Sequence, residues 1–320
     1  MAFKKITIAG GGVLGSQIAF QVAYCGFESK VWLYKESVLQ ETQEKIEKIR
    51  ETYIKAINNM ANDPENAVWY PGIAKKDDFN KEKCLENVEK AYKSIIYEFD
   101  LKKALEGADL LIESLPEIKE IKTDFFKKVN PLISRETVIA TNASTLVPSE
   151  FATISGNADR FLALHFANPI CKNNMSEIMA QSQVDFKYFD ELVEFAESIN
   201  MVALPARKEK AGYILNSMLV PLILSALDLY ANGISQPEII DKTWKLATGS
   251  PKGPFEIFDS IGIKTAYDVV EQYQKVPGLL SPVFKKMLFP YNFKGMKEIL
   301  QKMIDEGKLG VISGEGFYKY

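Results

Sequence analysis

Residues 5–34 read KITIAGGGVLGSQIAFQVAYCGFESKVWLY. The apolar run that ends at Gly10 predicts a β-strand, and the apolar residues that follow recur at helical spacing up to Cys25. A second apolar run over residues 30–34 predicts another strand. A strand, a helix and a strand in this order form a βαβ unit, whose two strands lie parallel in one sheet.

The turn after the first strand carries the pattern Gly-x-Gly-x-x-Gly, with its glycines at Gly10, Gly12 and Gly15. The first glycine permits a tight turn, the second lets the backbone approach a pyrophosphate, and the third lets the helix pack closely on the strand. The start of the helix, at Val13 and Leu14, supplies free N–H groups for the phosphates. The pattern therefore predicts dinucleotide binding, with an ordinary glycine-rich turn as the alternative.

Strand and helix patterns continue to alternate up to about residue 204. Such alternation is typical of an α/β fold of the Rossmann type, a doubly wound and mostly parallel sheet covered by helices. The patterns beyond that point are all helical. We therefore predict a dinucleotide-binding domain over residues 1–205 and an all-helical domain for substrate binding and dimerisation over residues 206–320. Residues 58–92 form a polar extension to which the sequence assigns no structure.

The composition is that of a globular protein with about two domains. The chain has 320 residues, of which 47% are apolar and 25% are charged, and its formal net charge is −3. Because a basic surface field is missing, we do not expect nucleic-acid binding. The longest apolar stretch, residues 213–230, is interrupted by Asn216, Pro221 and Asp228. We interpret it as a buried helix rather than a membrane span.

The three cysteines, Cys25, Cys84 and Cys171, are widely spaced and match no zinc-binding pattern. An odd number of scattered cysteines favours reduced thiols. The N-terminal residues lead directly into the first strand, without the apolar core of a signal peptide. We therefore expect a cytoplasmic protein that has no metal site.

His165 is the only histidine of the chain, and it ends the predicted strand over residues 161–165. The carboxyl edge of an open α/β sheet is where such folds bind ligands. Glu177 follows twelve residues later in an apolar run, and a buried carboxylate is costly unless it is paired. A Glu177–His165 dyad accounts for both residues, because such an imidazole can exchange a proton near neutral pH. A tolerated core histidine is the alternative.

Together with the glycine turn, several further segments resemble the L-3-hydroxyacyl-CoA dehydrogenase family over nearly the whole chain. The spacing agrees as well as the residue types, since Ser144 precedes His165 by 21 residues. The matching segments are Glu113-Ser-Leu-Pro-Glu117 with Lys122, Thr141-Asn-Ala-Ser-Thr145, His165-Phe-Ala-Asn-Pro169, Gly212-Tyr-Ile-Leu-Asn216, Gly253-Pro-Phe-Glu-Ile-Phe-Asp259 and Ser313-Gly-Glu-Gly-Phe-Tyr-Lys-Tyr320.

The resemblance implies a hydride transfer between C3 of a 3-hydroxyacyl thioester and a nicotinamide, as in fatty acid metabolism. His165 would take the hydroxyl proton, and Glu177 would orient its ring and stabilise the imidazolium. Ser144 would hydrogen-bond the reacting oxygen, and Asn216 would position the substrate. The alternatives are a turn residue for Ser144 and a satisfied polar residue of a helix bundle for Asn216. The heavily apolar first helix of the second domain, rather than the resemblance, favours a homodimer formed through the helical domain.

The resemblance further implies that Glu117, Lys122 and Asn142 contact the cofactor, although Glu117 and Lys122 can instead be solvated residues at a helix start. The second strand of an NAD-specific fold normally ends in an acidic residue that binds the ribose hydroxyls. Here Lys35 stands at that point, and a cation can pair with the 2′-phosphate of NADP. Glu36 favours NAD instead, so both cofactors stay open.

Residues 167–174 depart from the family, because Ala167 replaces an aromatic residue and residues 170–174 replace a hydrophobic segment. We expect these positions to line the acyl pocket, which favours a short, polar or charged substrate. A short-chain 3-hydroxyacyl-CoA dehydrogenase is the first interpretation, and a dehydrogenase of a free 3-hydroxy acid, of the carnitine or gulonate type, is the second. The third is a non-catalytic cofactor-binding protein, as among lens crystallins, and the complete catalytic set argues against it.

Overall fold

A computed structural model of the chain describes residues 3–62, 68–274 and 291–320. The chain divides into two compact units, Met1–Ile214 and Leu215–Tyr320. The domain boundary that the sequence predicts near residue 206 precedes this division by a few residues.

An eight-stranded sheet forms the centre of the first unit. Its strands are β1 (Lys5–Ala9), β2 (Glu28–Trp32), β3 (Ile96–Glu98), β4 (Leu110–Glu113), β5 (Val138–Thr141), β6 (Phe161–Phe166), β7 (Met175–Met179) and β8 (Val202–Ala206). They lie in the order β3-β2-β1-β4-β5-β6-β7-β8. The β6–β7 pair is antiparallel, and the other neighbouring pairs are parallel. The predicted Rossmann-type, mostly parallel α/β fold is thereby confirmed.

The helix predicted to end at Cys25 and the helix predicted over residues 213–230 are both present to within one residue, and further helices follow the strands. The helices of the described residues are α1 (Val13–Tyr24), α2 (Leu39–Asn62), α3 (Lys81–Ser94), α4 (Leu101–Leu105), α5 (Lys119–Val129), α6 (Ser149–Ser155), α7 (Phe186–Ser198), α8 (Tyr213–Ala231), α9 (Pro237–Thr248), α10 (Pro254–Ile261), α11 (Ile263–Gln274) and α12 (Phe293–Asp305). The sequence reasoning missed α3, which lies in the polar extension and packs against α1 and α2. Only Cys84, Val88 and Ala91 are buried on this helix, so its apolar face is narrow.

The glycine turn shows why the chain requires two of its three glycines. A Cβ on Gly15 would lie 2.1 Å from the carbonyl oxygen of Gly10, so α1 can approach β1 closely only with glycine there. Gly10 has φ of 116°, and a Cβ there would lie 2.6 Å from the carbonyl oxygen of Ser114. A Cβ on Gly12 would meet nothing within 4 Å. Gly10 and Gly15 thus serve internal packing, whereas Gly12 leaves open space in front of the turn.

The second unit is helical in its described part, as predicted, and its C-terminal segment closes its core. The Phe317 ring packs edge-on against Phe255, with centroids 4.7 Å apart. Asp259, which is 1% exposed, accepts hydrogen bonds from the N–H groups of Phe317 and Tyr318 at 2.8 and 2.9 Å. These bonds hold the segment against α10.

Among the described helices, α8 alone is long and apolar enough to cross a membrane, a test that core helices of soluble proteins also pass. Only 28% of its most apolar 18-residue window is buried, so the prediction of a buried helix is confirmed for part of it only. Met218 and Leu229 are 63% and 41% exposed. Dimerisation through this unit stays a prediction.

We expect Gly15→Ala to lower the free energy of unfolding by about 2 kcal/mol, because the new methyl group overlaps a backbone oxygen that cannot rotate away. Denaturant unfolding of the variant and the wild type measures the difference. Gly12→Ala is the matched control, and we expect it to change the free energy of unfolding by less than about 0.5 kcal/mol, because its methyl group enters open space. Equal losses in both variants would contradict this account of the turn.

Candidate active site

The pairing of β6 with β7 brings His165 and Glu177 together. They are directly opposed residues of the antiparallel pair, so their side chains lie on the same face of the sheet. His165 Nδ1 lies 3.1 Å from Glu177 Oε2, and Glu177 Oε1 accepts the N–H of Ile214 at 2.8 Å. Glu177 has no exposed surface. Because an ionised carboxylate only accepts hydrogen bonds, we assign the ring proton to Nδ1, which leaves Nε2 able to take a proton.

Ser144 approaches the other nitrogen of this ring. Its Oγ lies 3.2 Å from His165 Nε2, and the residue belongs to the loop between β5 and α6. With Nε2 unprotonated, the Ser144 hydroxyl donates to it, and with the imidazolium the direction reverses. The structure therefore places Ser144, His165 and Glu177 in one hydrogen-bonded row, which the spacing of these residues alone could not establish.

Tyr213 is a site residue that the sequence reasoning did not single out. Its ring packs against the imidazole of His165, with centroids 4.8 Å apart and planes inclined by 33°. Burial raises the pKa of the Tyr213 phenol well above its usual value, and the nearby carboxylates of Glu117 and Glu177 act in the same direction. The phenol is thus neutral and covers one face of the imidazole. The only sequence signal was its position beside Gly212 in a segment that resembles the family.

A cavity of about 510 Å³ opens at the glycine turn. It lies where the strand order reverses between β1 and β4, the usual ligand position of an open α/β sheet, and its volume is typical of ligand sites. Its lining comes from the glycine turn, the end of β2, the start of α2 and the loops after β4 and β5. These residues are Gly10, Gly11, Gly12, Val13, Leu14, Trp32, Leu33, Tyr34, Val38, Glu41, Thr42, Lys45, Ser114, Leu115, Pro116, Glu117, Asn142 and Ser144.

Most of the predicted cofactor residues line this cavity, but Gly15, Lys35 and Lys122 lie outside its lining. Lys122 is 1% exposed, and its ammonium group lies 2.7 Å from the buried carboxylate of Glu113. The Lys35 ammonium group lies over the Tyr34 ring, 5.1 Å from its centroid. Glu41, Thr42 and Lys45 also line the cavity from α2, and the sequence analysis did not assign them to the cofactor site.

The expectation that residues 170–174 line an acyl pocket is wrong for the first two of them. Ile170 and Cys171 are 1% and 4% exposed, and the N–H of Gly72 donates to the carbonyl oxygen of Cys171 at 3.0 Å. This segment therefore packs under the turn that precedes α3. Lys172 and Asn173 are exposed, and these two remain available to a substrate.

Asn216 belongs to the second unit, so its predicted role in substrate positioning stays a prediction. Within the three described ranges, no group of three or more His, Cys, Asp or Glu side chains is arranged to hold a metal ion.

Two family models together match almost the whole chain. Residues 5–209 match the model described as 3-hydroxyacyl-CoA dehydrogenase, NAD binding domain, and residues 212–320 match the C-terminal domain of the same family. The hydroxyacyl-coenzyme A dehydrogenase, mitochondrial, of Sus scrofa is 28% identical over 317 residues, which cover 99% of this chain and 91% of the relative. A 3-hydroxybutyryl-CoA dehydrogenase of Clostridioides difficile is 32% identical over 216 residues, which cover 68% of this chain and 72% of the relative.

Solved structures agree with these matches. A diketoreductase, described under "Substrate-directed dual catalysis of dicarbonyl compounds by diketoreductase", has a TM-score of 0.82 and 39% identity, and covers 100% of both chains. The (S)-3-hydroxybutyryl-CoA dehydrogenase PaaH1 from Ralstonia eutropha has a TM-score of 0.74 and 21% identity, covers 99% of both chains and supports the fold. The chain therefore belongs to the 3-hydroxyacyl-CoA dehydrogenase family, whose members are oxidoreductases with a Rossmann-type domain for a nicotinamide cofactor.

Proposed function

We propose that this protein interconverts the C3 hydroxyl and C3 carbonyl groups of a short-chain L-3-hydroxyacyl-CoA, with His165 as the general base. One observation carries the proposal. Ser144 lines the cavity of the glycine turn and also lies 3.2 Å from His165 Nε2. A proton-accepting nitrogen therefore sits at the border of a cavity suited to a dinucleotide, as a hydride-transfer reaction requires.

In the direction of oxidation, Nε2 of His165 takes the proton of the C3 hydroxyl group. Glu177 stabilises the resulting imidazolium through Nδ1, at 3.1 Å, and Ser144 hydrogen-bonds the same substrate oxygen. When bound, the nicotinamide supplies the acceptor for the hydride from C3. In the reverse direction, the imidazolium returns its proton to the oxygen as the carbonyl is reduced. The open space in front of Gly12 fits the pyrophosphate of such a cofactor.

We expect His165→Gln to lower kcat by at least about 100-fold, because general-base catalysis contributes roughly 100-fold to 10,000-fold. The Kd for the reduced cofactor should stay within about twofold of the wild-type value, since His165 lies outside the lining of the cavity. Glu177→Gln should lower kcat less than His165→Gln does, and it should alter the pH profile of kcat. Steady-state kinetics and fluorescence titration with the reduced cofactor measure these effects. Near-normal turnover by His165→Gln would return this histidine to a structural role.

A second candidate substrate is a 3-oxo compound that is not a thioester. The diketoreductase, at 39% identity over the whole chain, is more similar to this protein than the acyl-CoA dehydrogenases compared above. Ala167, which replaces an aromatic residue of the family, also favours a different substrate.

Matched assays of acetoacetyl-CoA, free acetoacetate and an uncharged 1,3-diketone decide between the two substrates. Under the first proposal, we expect kcat/KM for acetoacetyl-CoA to exceed the value for free acetoacetate by at least about tenfold, because CoA adds binding energy remote from the reacting carbon. Strong reduction of a free dicarbonyl compound with none of the thioester would overturn the short-chain acyl-CoA proposal and leave the dehydrogenase chemistry intact.

We also propose that the cofactor is NAD(H), with Glu41 as the carboxylate that binds the ribose hydroxyls. β2 is followed by Leu33, Tyr34 and Lys35, so no acidic residue stands in the usual place. Glu41 lines the cavity from α2, and its carboxylate lies 2.6 Å from the ammonium group of Lys45. That ammonium group also approaches the carbonyl oxygen of Gly11, at 3.4 Å. The pair therefore borders the glycine turn.

We expect Glu41→Gln to lower kcat/KM with NADH by about tenfold and not to lower it with NADPH, because the variant loses a charged acceptor that would repel a 2′-phosphate. Glu44→Gln, on the same helix but outside the lining, is the control and should leave both values unchanged. Lys35→Asp should change neither value. A tenfold loss of NADPH use in Lys35→Asp would instead show that Lys35 binds the phosphate.

A cytoplasmic location and a homodimer formed through the second unit complete the proposal. Cys25, Cys84 and Cys171 are all free thiols, which fits a reducing compartment. The exposed apolar side chains of Met218 and Leu229 on α8 fit burial in an oligomer.

A further inference from the structure

Three charged side chains form a row beside the proposed active site. The Lys122 ammonium group lies 2.7 Å from Glu113 Oε1 and 3.5 Å from Glu117 Oε2. Glu113 has no exposed surface, and it also accepts the N–H of Leu115 and the hydroxyl of Thr141, each at 2.6 Å. These contacts hold Lys122 in one place, because a buried ion pair with additional hydrogen bonds is geometrically rigid.

Glu117 extends this row to the loop that carries Ser144. One of its oxygens, Oε1, accepts the backbone N–H groups of three successive residues, Ser144 at 3.0 Å, Thr145 at 2.7 Å and Leu146 at 3.2 Å. It also accepts the hydroxyl of Thr145 at 2.9 Å. Burial acts to raise the pKa of Glu117, but these hydrogen bonds and the charge of Lys122 outweigh it and hold the pKa below its usual value. Glu117 therefore stays ionised at neutral pH.

The middle of the loop after β5 depends on Glu117, whereas Asn142 at its start is held by the carbonyl oxygen of Glu113 and by the N–H of Phe166. Residues 142–148 belong to neither a helix nor a strand, so the N–H groups of residues 144–146 find their acceptor in a side chain rather than in regular structure. Ser144 Oγ must nevertheless stay at 3.2 Å from His165 Nε2, and a displacement of about 1 Å in such a contact can lower a rate by roughly 100-fold.

We infer that Glu117 is a positioning residue, which holds the Ser144 hydroxyl at His165 through the backbone of residues 144–146. Lys122 and Glu113 in turn hold the Glu117 carboxylate. The inference rests on the proposed catalytic role of Ser144 and His165, and it differs from the cofactor contact that the family resemblance implies for Glu117. We call this contact between Glu117 and the backbone of residues 144–146 the clamp. Loss of the clamp should lower kcat, whereas loss of a cofactor contact should mainly raise the Kd for the cofactor.

Kinetics of a double-mutant cycle test the inference. We expect Glu117→Ala to lower kcat by roughly 10-fold to 100-fold, close to the loss in Ser144→Ala, while the Kd for NADH changes by less than about threefold. The kcat of the double variant Ser144→Ala/Glu117→Ala should lie within about threefold of the kcat of Ser144→Ala. Glu117→Gln, which keeps an acceptor oxygen, should recover part of the rate.

Glu120→Ala, at an exposed position in the first turn of α5, is the control, and its kcat should match that of the wild type. Additive losses, or a large rise in Kd with kcat unchanged, would overturn the clamp.

A second measurement does not depend on activity. Because His165 is the only histidine, the untagged chain labelled with ¹⁵N-histidine gives one set of ring resonances. We expect Glu117→Ala and Glu117→Gln to move the Nε2 resonance toward its position in Ser144→Ala, and to have no further effect in the Ser144→Ala background. If Glu117→Ala does not fold, Glu117→Gln carries the same cycle. Ring resonances that stay at their wild-type positions would refute the clamp, whereas shifted resonances in a protein that reduces no dicarbonyl substrate would refute only the proposed function.

Discussion

Glu177 is a carboxylate without exposed surface, and a carboxylate removed from water must be paired and hydrogen-bonded. This requirement shapes the surrounding structure. His165 can reach Oε2 because β7 runs antiparallel to β6 and sets the two residues opposite each other. The N–H of Ile214 can reach Oε1 because the chain returns to this edge where α8 begins. The imidazole is consequently fixed on its Nδ1 side, and only Nε2 is left for chemistry.

Ionised groups are held in place at this sheet edge by backbone N–H groups as well as by opposite charges. Glu113 combines the Lys122 ammonium group with the N–H of Leu115, and Glu117 gathers the N–H groups of the loop after β5. Hydrogen bonds to charged groups are stronger than those between neutral groups. They can therefore order loops that no helix or strand would hold.

The cofactor cavity depends on a different constraint, the absence of side chains. Gly15 lets the backbone of α1 approach the turn, and Gly10 lets the turn approach the backbone of Ser114, each more closely than a Cβ would permit. Gly12 keeps the front of the turn open. The end of β2 departs from an NAD-specific fold, because no acidic residue stands there. Tyr34 borders the cavity at this point, and Lys35 lies outside its lining. The nicotinamide-binding domain is thus shared with the family, whereas the proposed preference for NAD rests on Glu41, which borders the cavity from α2.

The local sequence pattern by itself determined the fold class of the first domain and the position of the glycine turn. The alternation of apolar strands and helices predicts the doubly wound fold, and the glycine spacing predicts the turn under the cofactor, because both depend on neighbours within a few residues. The sequence analysis missed α3 because only three apolar residues of this charged helix are buried, too few to show the helical spacing clearly. The dyad of His165 and Glu177 was predicted because a carboxylate in apolar surroundings requires a partner and because the lone histidine ends a strand at the edge where such sheets bind ligands.

Only the tertiary structure decided which distant residues meet. Glu117 contacts a loop 27 to 29 positions away in the sequence, Tyr213 packs on His165 from the start of a helix, and Glu41 borders the glycine turn from α2. Residue types and spacing predict none of these contacts, because they depend on how β-strands are ordered in the sheet and where each loop leaves it. The same reason accounts for the burial of Ile170 and Cys171. The sequence analysis expected these two residues to line the substrate pocket, but they pack under the turn that precedes α3.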